Sequence, residues 1–194
     1  MKILIDSYGA DKGLDVILEA SLIALNKYKN MEIELIGKQA ELESAMQNLD
    51  FDKNRLRIIN ADSVISCDES PVEALRAKRD STIVVGLDKL KAGGYAGLIS
   101  AGSTGAVLSG AVLKIGRIKG VSRPGLCPCL PTIKGGKVLL MDCGANMDCK
   151  PINLCHFALM GSEYMRVVEG ISQPRVALLN VGTEDAKGNE LVKA

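Results

Sequence analysis

The chain has no tryptophan, two phenylalanines and four tyrosines among 194 residues, so aromatics make up only 3%. The core must therefore be aliphatic, and a base-stacking platform for single-stranded nucleic acid is not expected. Charge of one sign is also scarce: 24 Lys+Arg against 23 Asp+Glu leave a formal net charge of +1. That balance gives no reason to expect a nucleic-acid groove or a polybasic membrane patch. No apolar run approaches the ~20 residues that span a bilayer. The opening Met1-Lys2-Ile3-Leu4-Ile5-Asp6 reaches a charge too soon for a signal peptide. A cytoplasmic location with reduced thiols is the expectation. What is present is ordinary for a globular chain, with 47% hydrophobic and 24% charged residues, which argues against disorder.

Six cysteines (Cys67, Cys127, Cys129, Cys143, Cys149 and Cys155) and one histidine, His156, invite a metal or nucleophile reading. Cys127-Pro-Cys129 is too tight for a zinc knuckle, and Cys143 to Cys149 is too loose. Buried or loop thiols are the expectation, with no metal and no cofactor. Cys155 and His156 adjoin, but neighbours on a helix point about 100° apart, which counts against their pairing.

Short apolar runs alternate with helical patterns. Strands are expected at Ile3–Asp6, Met31–Ile36, Leu56–Asn60, Ala96–Ala101, Val138–Met141 (buried) and Val176–Asn180. Helices are expected at Leu14–Tyr28, Ala40–Leu49, Pro71–Arg79, Ser81–Ala92, from Gly102–Gly105 to Ile115, and at Asn153–Val168 before Gly170. In the first helix, Val16, Ala20, Ile23, Ala24 and Leu25 are placed on the core face. Ser70-Pro71-Val72-Glu73 reads as a capping box with proline at the first helical position. The alternation predicts an α/β fold: a mostly parallel sheet between helices, in three α/β/α layers. The Pro-, Gly- and Lys/Arg-rich stretch 117–136 is a loop or hairpin excursion, with a hairpin through Cys129–Val138. Gly188–Ala194 reads as the start of a further helix.

In such sheets, ligands bind beyond the carboxyl ends of the strands. Four strand ends carry small or polar residues, and on one sheet edge they would ring a common crevice. They are Asp6-Ser7-Tyr8-Gly9-Ala10-Asp11, Ser100-Ala101-Gly102-Ser103-Thr104-Gly105, Asp142-Cys143-Gly144-Ala145-Asn146, and the run from Asn180 through Glu184 and Lys187 to Glu190. Ser100–Gly105 is the best anion site: its glycines admit a ligand, the following helix offers free N–H groups, and Ser103 and Thr104 add hydroxyls. It is neither a dinucleotide fingerprint nor a P-loop. Equally, Ser103 can simply cap the helix. Asn146 can hydrogen-bond an acyl carbonyl or phosphate and Lys150 can neutralise an anion, or the segment can be a turn-and-cap network. Lys187 can stabilise a developing oxyanion or be a solvated lysine. Arg117, Lys119 and Arg123 can meet a carrier or coenzyme phosphate or be a solvated loop.

Taken together, these motifs resemble the bacterial phosphate acyltransferases of phospholipid synthesis. The match continues through Asp68–Val72, Gly116–Gly120, Arg123-Pro124, Leu130-Pro131-Thr132, Cys149-Lys150-Pro151, Ala158–Ser162, Pro174-Arg175-Val176 and Lys187–Leu191. The resemblance implies transfer of a long-chain acyl group from acyl carrier protein to inorganic phosphate, giving acyl phosphate and free carrier. It also implies a fold similar to phosphate acetyltransferases and isocitrate-type dehydrogenases, a homodimer, and peripheral membrane association through a C-terminal region beyond residue 194. Residues 1–194 are then the N-terminal part of one α/β domain. Lys187 and Asn146 are the implied catalytic pair. Asp6, Gly9, Gly102, Ser103, Thr104, Gly105, Asp142, Gly144, Lys150 and Glu184 are expected to shape the substrate site. The first motif departs from the family's Asp-x-Met-Gly-Gly-Asp at Tyr8 and Ala10, and a Cβ at position 10 matters if φ must be positive there. Rival readings are a short-chain phosphate acetyltransferase acting on acyl-CoA, a phosphate-binding fragment without turnover and, by fold analogy alone, a dehydrogenase.

Overall fold

A computed structural model of the chain describes residues 1–182, 184 and 187–193. The chain forms two compact units, Met1–Gly116 and Arg117–Ala194.

The first unit is a parallel α/β sandwich. Its strands are β1 (Lys2–Asp6), β2 (Glu32–Gly37), β3 (Leu56–Asn60) and β4 (Gly97–Ile99). Its helices are α1 (Leu14–Lys27), α2 (Gln39–Met46), α3 (Pro71–Ala77), α4 (Thr82–Ala92) and α5 (Thr104–Gly110), the last continuing into a π-helical segment, Ala111–Ile115. The sheet order is β3-β2-β1-β4 with every pairing parallel. Strands covered on both faces read as unbroken apolar runs, as Ile33 to Ile36 nearly does. Side chains alternate faces along β2. Ile33 and Leu35 meet Leu18 and Leu25 of α1 and Leu42 and Met46 of α2. Ile36 and Leu4 face the other way and pack with Val85 and Leu90 of α4. A third cluster joins Ile65, Leu75, Ile83, Leu87 and Ala106 across α3, α4 and α5.

Two local expectations for this unit are corrected. Helix α1 buries Leu18, Ser21 and Leu25, while Val16 and Ile23 stay exposed. The stripe is set one residue round the helix because Ser21 fits under the sheet by donating its hydroxyl to the Ile17 carbonyl at 2.7 Å. Pro71 does open α3, but the Ser70 side chain makes no cap hydrogen bond. The Ser70 carbonyl accepts from Ala74 N instead.

The second unit contains an antiparallel hairpin of β5 (Cys129–Pro131) and β6 (Lys137–Leu139), then α6 (Pro151–Val167) and a short α7 (Glu190–Lys193). The hairpin spans Cys129–Leu139, where the sequence reads one through Cys129–Val138. Helix α6 buries Asn153, Phe157 and Met165, and Phe157 packs with Met141 against Gly125. Two strand expectations are overturned. Val138 is half exposed, so the run 138–141 is not a buried strand. Val176–Asn180 forms no strand, and Val176, Leu178 and Leu179 are exposed. A strand needs a partner for its backbone groups, and among the described residues none pairs with this run. Thr183, Asp185, Ala186 and Ala194 lie outside the described residues, so that part of the last motif and of the expected final helix is not placed.

Candidate active site

The order β3-β2-β1-β4 reverses direction between β1 and β4. That is the switch point at which open α/β sheets form a crevice beyond the strand ends. Two of the four polar loops follow these two strands. The other two do not: the Asp142 loop follows the hairpin strand β6, and the Asn180 loop follows an unpaired run. The expected ring of four loops on one sheet edge is thus reduced to a pair on the main sheet.

Ile5 and Ile99 are register partners, so Asp6 and Ser100 leave the sheet side by side. Ser100 Oγ donates to Asp6 Oδ2 at 2.7 Å and accepts from Gly102 N at 3.1 Å. Tyr8 N donates to Asp6 Oδ1 at 3.2 Å. One buried carboxylate and one hydroxyl therefore tie the two loops together. Gly9, with φ +94°, lies so close to Gly102 that an added Cβ would sit 2.3 Å from Gly102 Cα. Only glycine fits there. Ala10 needs no such freedom, because among the described residues Asp142 alone is a non-glycine with positive φ.

Asp6 is buried. Burial pushes its carboxyl above the usual aspartate range, against opposing pulls from Ser100, Thr82 and Tyr8 N. The Thr82 hydroxyl lies near enough to act on this carboxyl but makes no hydrogen bond of good geometry, and the buried Ser7 and Ser81 hydroxyls are likewise without a partner among the described residues. Tyr8 reaches away from the crevice: its ring covers Gly37, and its Oη donates to Glu41 Oε2 at 2.6 Å. Burial, then the Glu41 carboxylate, pushes the phenol up to about 12. The departure from methionine thus fastens the first loop to α2.

Ser103 is the N-cap of α5, its Oγ accepting from Ala106 N at 3.3 Å. The side chain is buried, and its hydroxyl proton has no acceptor among the described residues. Thr104 is exposed at the first helical position, and Gly105 packs on Pro71, where a Cβ would lie 2.8 Å from Cγ. The first N–H groups of a helix have no intrahelical acceptor, so those of Thr104 and Gly105 offer donors at its positive end.

In the second unit, Asp142 adopts φ 61° and its carboxylate gathers three backbone donors: Leu126 N at 3.2 Å, Ala145 N at 3.1 Å and Asn146 N at 3.0 Å. Aspartate tolerates this left-handed backbone because its side chain bonds locally. Asn146 Nδ2 donates to the Pro124 carbonyl at 2.8 Å, which leaves its second N–H and its oxygen uncommitted. Gly144, with φ +111°, has open space where a side chain would be. Lys150 caps α6, with its backbone N–H donating to Asn153 Oδ1 at 2.8 Å. Asn153 in turn donates to Ser122 Oγ at 2.6 Å, and Ser122 Oγ lies 3.2 Å from His156 Nδ1. His156 is engaged there while Cys155 is exposed, so the two are not a pair.

Glu184 and Lys187 both fold over Gly182: a Cβ there would lie 2.7 Å from Glu184 Oε2 and 2.8 Å from Lys187 Cγ. Lys187 is exposed, and its backbone N–H donates to the Glu184 carbonyl at 2.9 Å. Among the described residues no hydrogen bond joins these two side chains to the Asp142 loop. None of the six cysteines is fully buried: Cys67, Cys143 and Cys155 are exposed, and Cys127, Cys129 (in β5) and Cys149 are half-buried.

The family described as "Fatty acid synthesis protein" matches the chain over residues 1–194. The chain belongs to this family. Phosphate acyltransferases from Clostridioides difficile and Caldanaerobacter subterraneus subsp. tengcongensis are 45% and 48% identical to it over 193 residues, all of this chain. The chain spans 56% and 57% of those relatives' own length. Among solved structures, the EutD phosphotransacetylase from Staphylococcus aureus superposes with a TM-score of 0.58 at 19% identity, over 85% of this chain and 52% of the other. That likeness shows the fold, which is the one expected from the alternation of strands and helices.

Membership was legible in the motifs. The sequence places Ser100 in the anion loop but not its tie to Asp6, which depends on the register of β1 with β4.

Proposed function

We propose that the whole protein transfers an acyl group from acyl-[acyl carrier protein] to inorganic phosphate. A phosphate oxygen attacks the thioester carbonyl carbon, a C–O bond forms, the C–S bond breaks, and the carrier thiolate leaves and takes up a proton. Phosphate is already a nucleophile, so no covalent enzyme intermediate is needed. The task is to hold two reactants and to stabilise the tetrahedral oxyanion.

The observation that carries this reading is the Asp6–Ser100 tie at the switch point, which presents the start of α5 beyond the sheet. Phosphate is cradled by Gly102, the Ser103 and Thr104 hydroxyls, and the N–H groups of Thr104 and Gly105, with Gly9 backing Gly102. Asp6 is a positioning residue behind this cradle, and Asp142 plays the same part for the loop of Gly144 and Asn146. Lys187 and the uncommitted N–H of Asn146 stabilise the oxyanion. Lys150 and Glu184 bind or orient the carrier-borne substrate. A homodimer that meets the membrane peripherally completes the proposal.

The test mixes the whole protein with acyl-[acyl carrier protein] and phosphate and traps acyl phosphate with hydroxylamine. Turnover that is lost in Lys187→Ala, with phosphate binding retained, supports the roles assigned. Full activity in Lys187→Ala rejects them. A parallel arm with acetyl-CoA separates long-chain carrier thioesters from short-chain acyl-CoA as the donor.

A further inference from the structure

A cavity of about 420 Å³ opens in the first unit between α3, α4 and the helical run that follows Thr104. Its walls are Leu75 and Val84, both buried, with Gly110 and Leu113. Gly110 lies six residues beyond Thr104, so the cavity sits about 9 Å further along that run than the phosphate cradle. It is a separate place.

Three features describe its ligand. The walls are aliphatic, and no aromatic ring lines them, so a flat base or ring has nothing to stack on. Arg76 and Arg79 stand at the rim, both exposed, and neither has a hydrogen-bond or ion-pair partner among the described residues. The remaining charges cancel, because Lys114 Nζ meets both oxygens of Asp88 at 2.7 Å. The cavity therefore presents apolar walls beneath two uncompensated guanidiniums, groups shaped for bidentate pairing with carboxylate or phosphate. One wall, with Leu113 and Lys114, is the π-helical segment, a rare form that is frequent at functional sites. The volume lies within the roughly 300–1,000 Å³ range of small-molecule sites.

We propose that this cavity binds an amphipathic anion, an aliphatic chain capped by a carboxylate or a phosphate. The chain lies on Leu75, Val84 and Leu113, and the head group pairs with Arg76 and Arg79. This goes beyond the reading of the strand-end site and does not depend on it.

The test titrates the 194-residue chain with decanoate and with decyl phosphate by calorimetry, below their micelle-forming concentrations. The stronger of the two identifies the head group. Decanol, the double variant Arg76→Gln/Arg79→Gln and the variant Leu113→Glu are the controls. The proposal expects one site for at least one anion. It expects at least tenfold weaker binding of decanol and of the anion to either variant, with unchanged melting temperature because the three side chains are exposed. Absence of binding by both anions, equal binding of decanol, or variants that keep full affinity would overturn it.

Discussion

Asp6 is the residue on which the first unit's site turns. Its folded pKa is raised by burial, so the native state holds this proton more tightly than the unfolded chain does. The contribution to stability is fully present below the unfolded value of about 3.9 and is lost as pH rises through the folded value. Asp6→Asn removes this titration while keeping an acceptor for Ser100. The stability of the variant relative to the parent should rise as pH increases through that window, in denaturant melts at a series of pH values. A difference that does not change with pH contradicts the buried carboxylate. Gly9 makes a second, independent prediction. Gly9→Ala forces a Cβ into Gly102 and into a left-handed backbone, a strain worth about 1–3 kcal/mol before the clash is added. Ala10→Gly should cost no more than about 1 kcal/mol, since only backbone entropy changes. If the two substitutions cost the same, the loop is not packed as described.

The elements differ in how much of them sequence could reveal. The strands β1, β2 and β3 and the helices around them were legible because a buried parallel strand is an apolar run and its helices carry a 3.6-residue stripe. The pairing of Asp6 with Ser100, 94 positions apart, was not legible, because register across a parallel sheet leaves no local mark. Val176–Asn180 misled for the converse reason. Its composition is that of a strand, but a strand exists only with a neighbour. Hydrogen exchange should therefore find the amides of residues 176–179 unprotected while those of Ile33 to Ile36 are the slowest. Substitution gives the same contrast: Leu179→Ser should fall within about 0.5 kcal/mol of the parent, and Leu35→Ala should cost about 2–5 kcal/mol. Strong protection at Leu178 and Leu179 would show that this run pairs in solution.

At the scale of the whole molecule, the three aliphatic clusters all lie within Met1–Gly116. That unit should fold alone, so a 1–116 fragment should unfold cooperatively in denaturant; a non-cooperative melt would show that the first unit depends on the second. The proposed phosphate cradle also lies wholly within this unit, whereas Asn146 and Lys187 lie in the other. Binding and turnover are therefore separable. The most direct measurement is phosphate affinity, by calorimetry, of the parent chain and of Thr104→Pro. Proline is tolerated at the first helical position and removes one N–H. Ser103, at φ −57° and ψ 108°, already lies outside the α region that proline disfavours in the residue before it. The parent should bind phosphate saturably. The variant should bind at least about tenfold more weakly, having lost two donors to a charged group, the Thr104 N–H and the Thr104 hydroxyl, with no change in melting temperature. Equal affinities, or no binding by the parent, would contradict the proposed cradle.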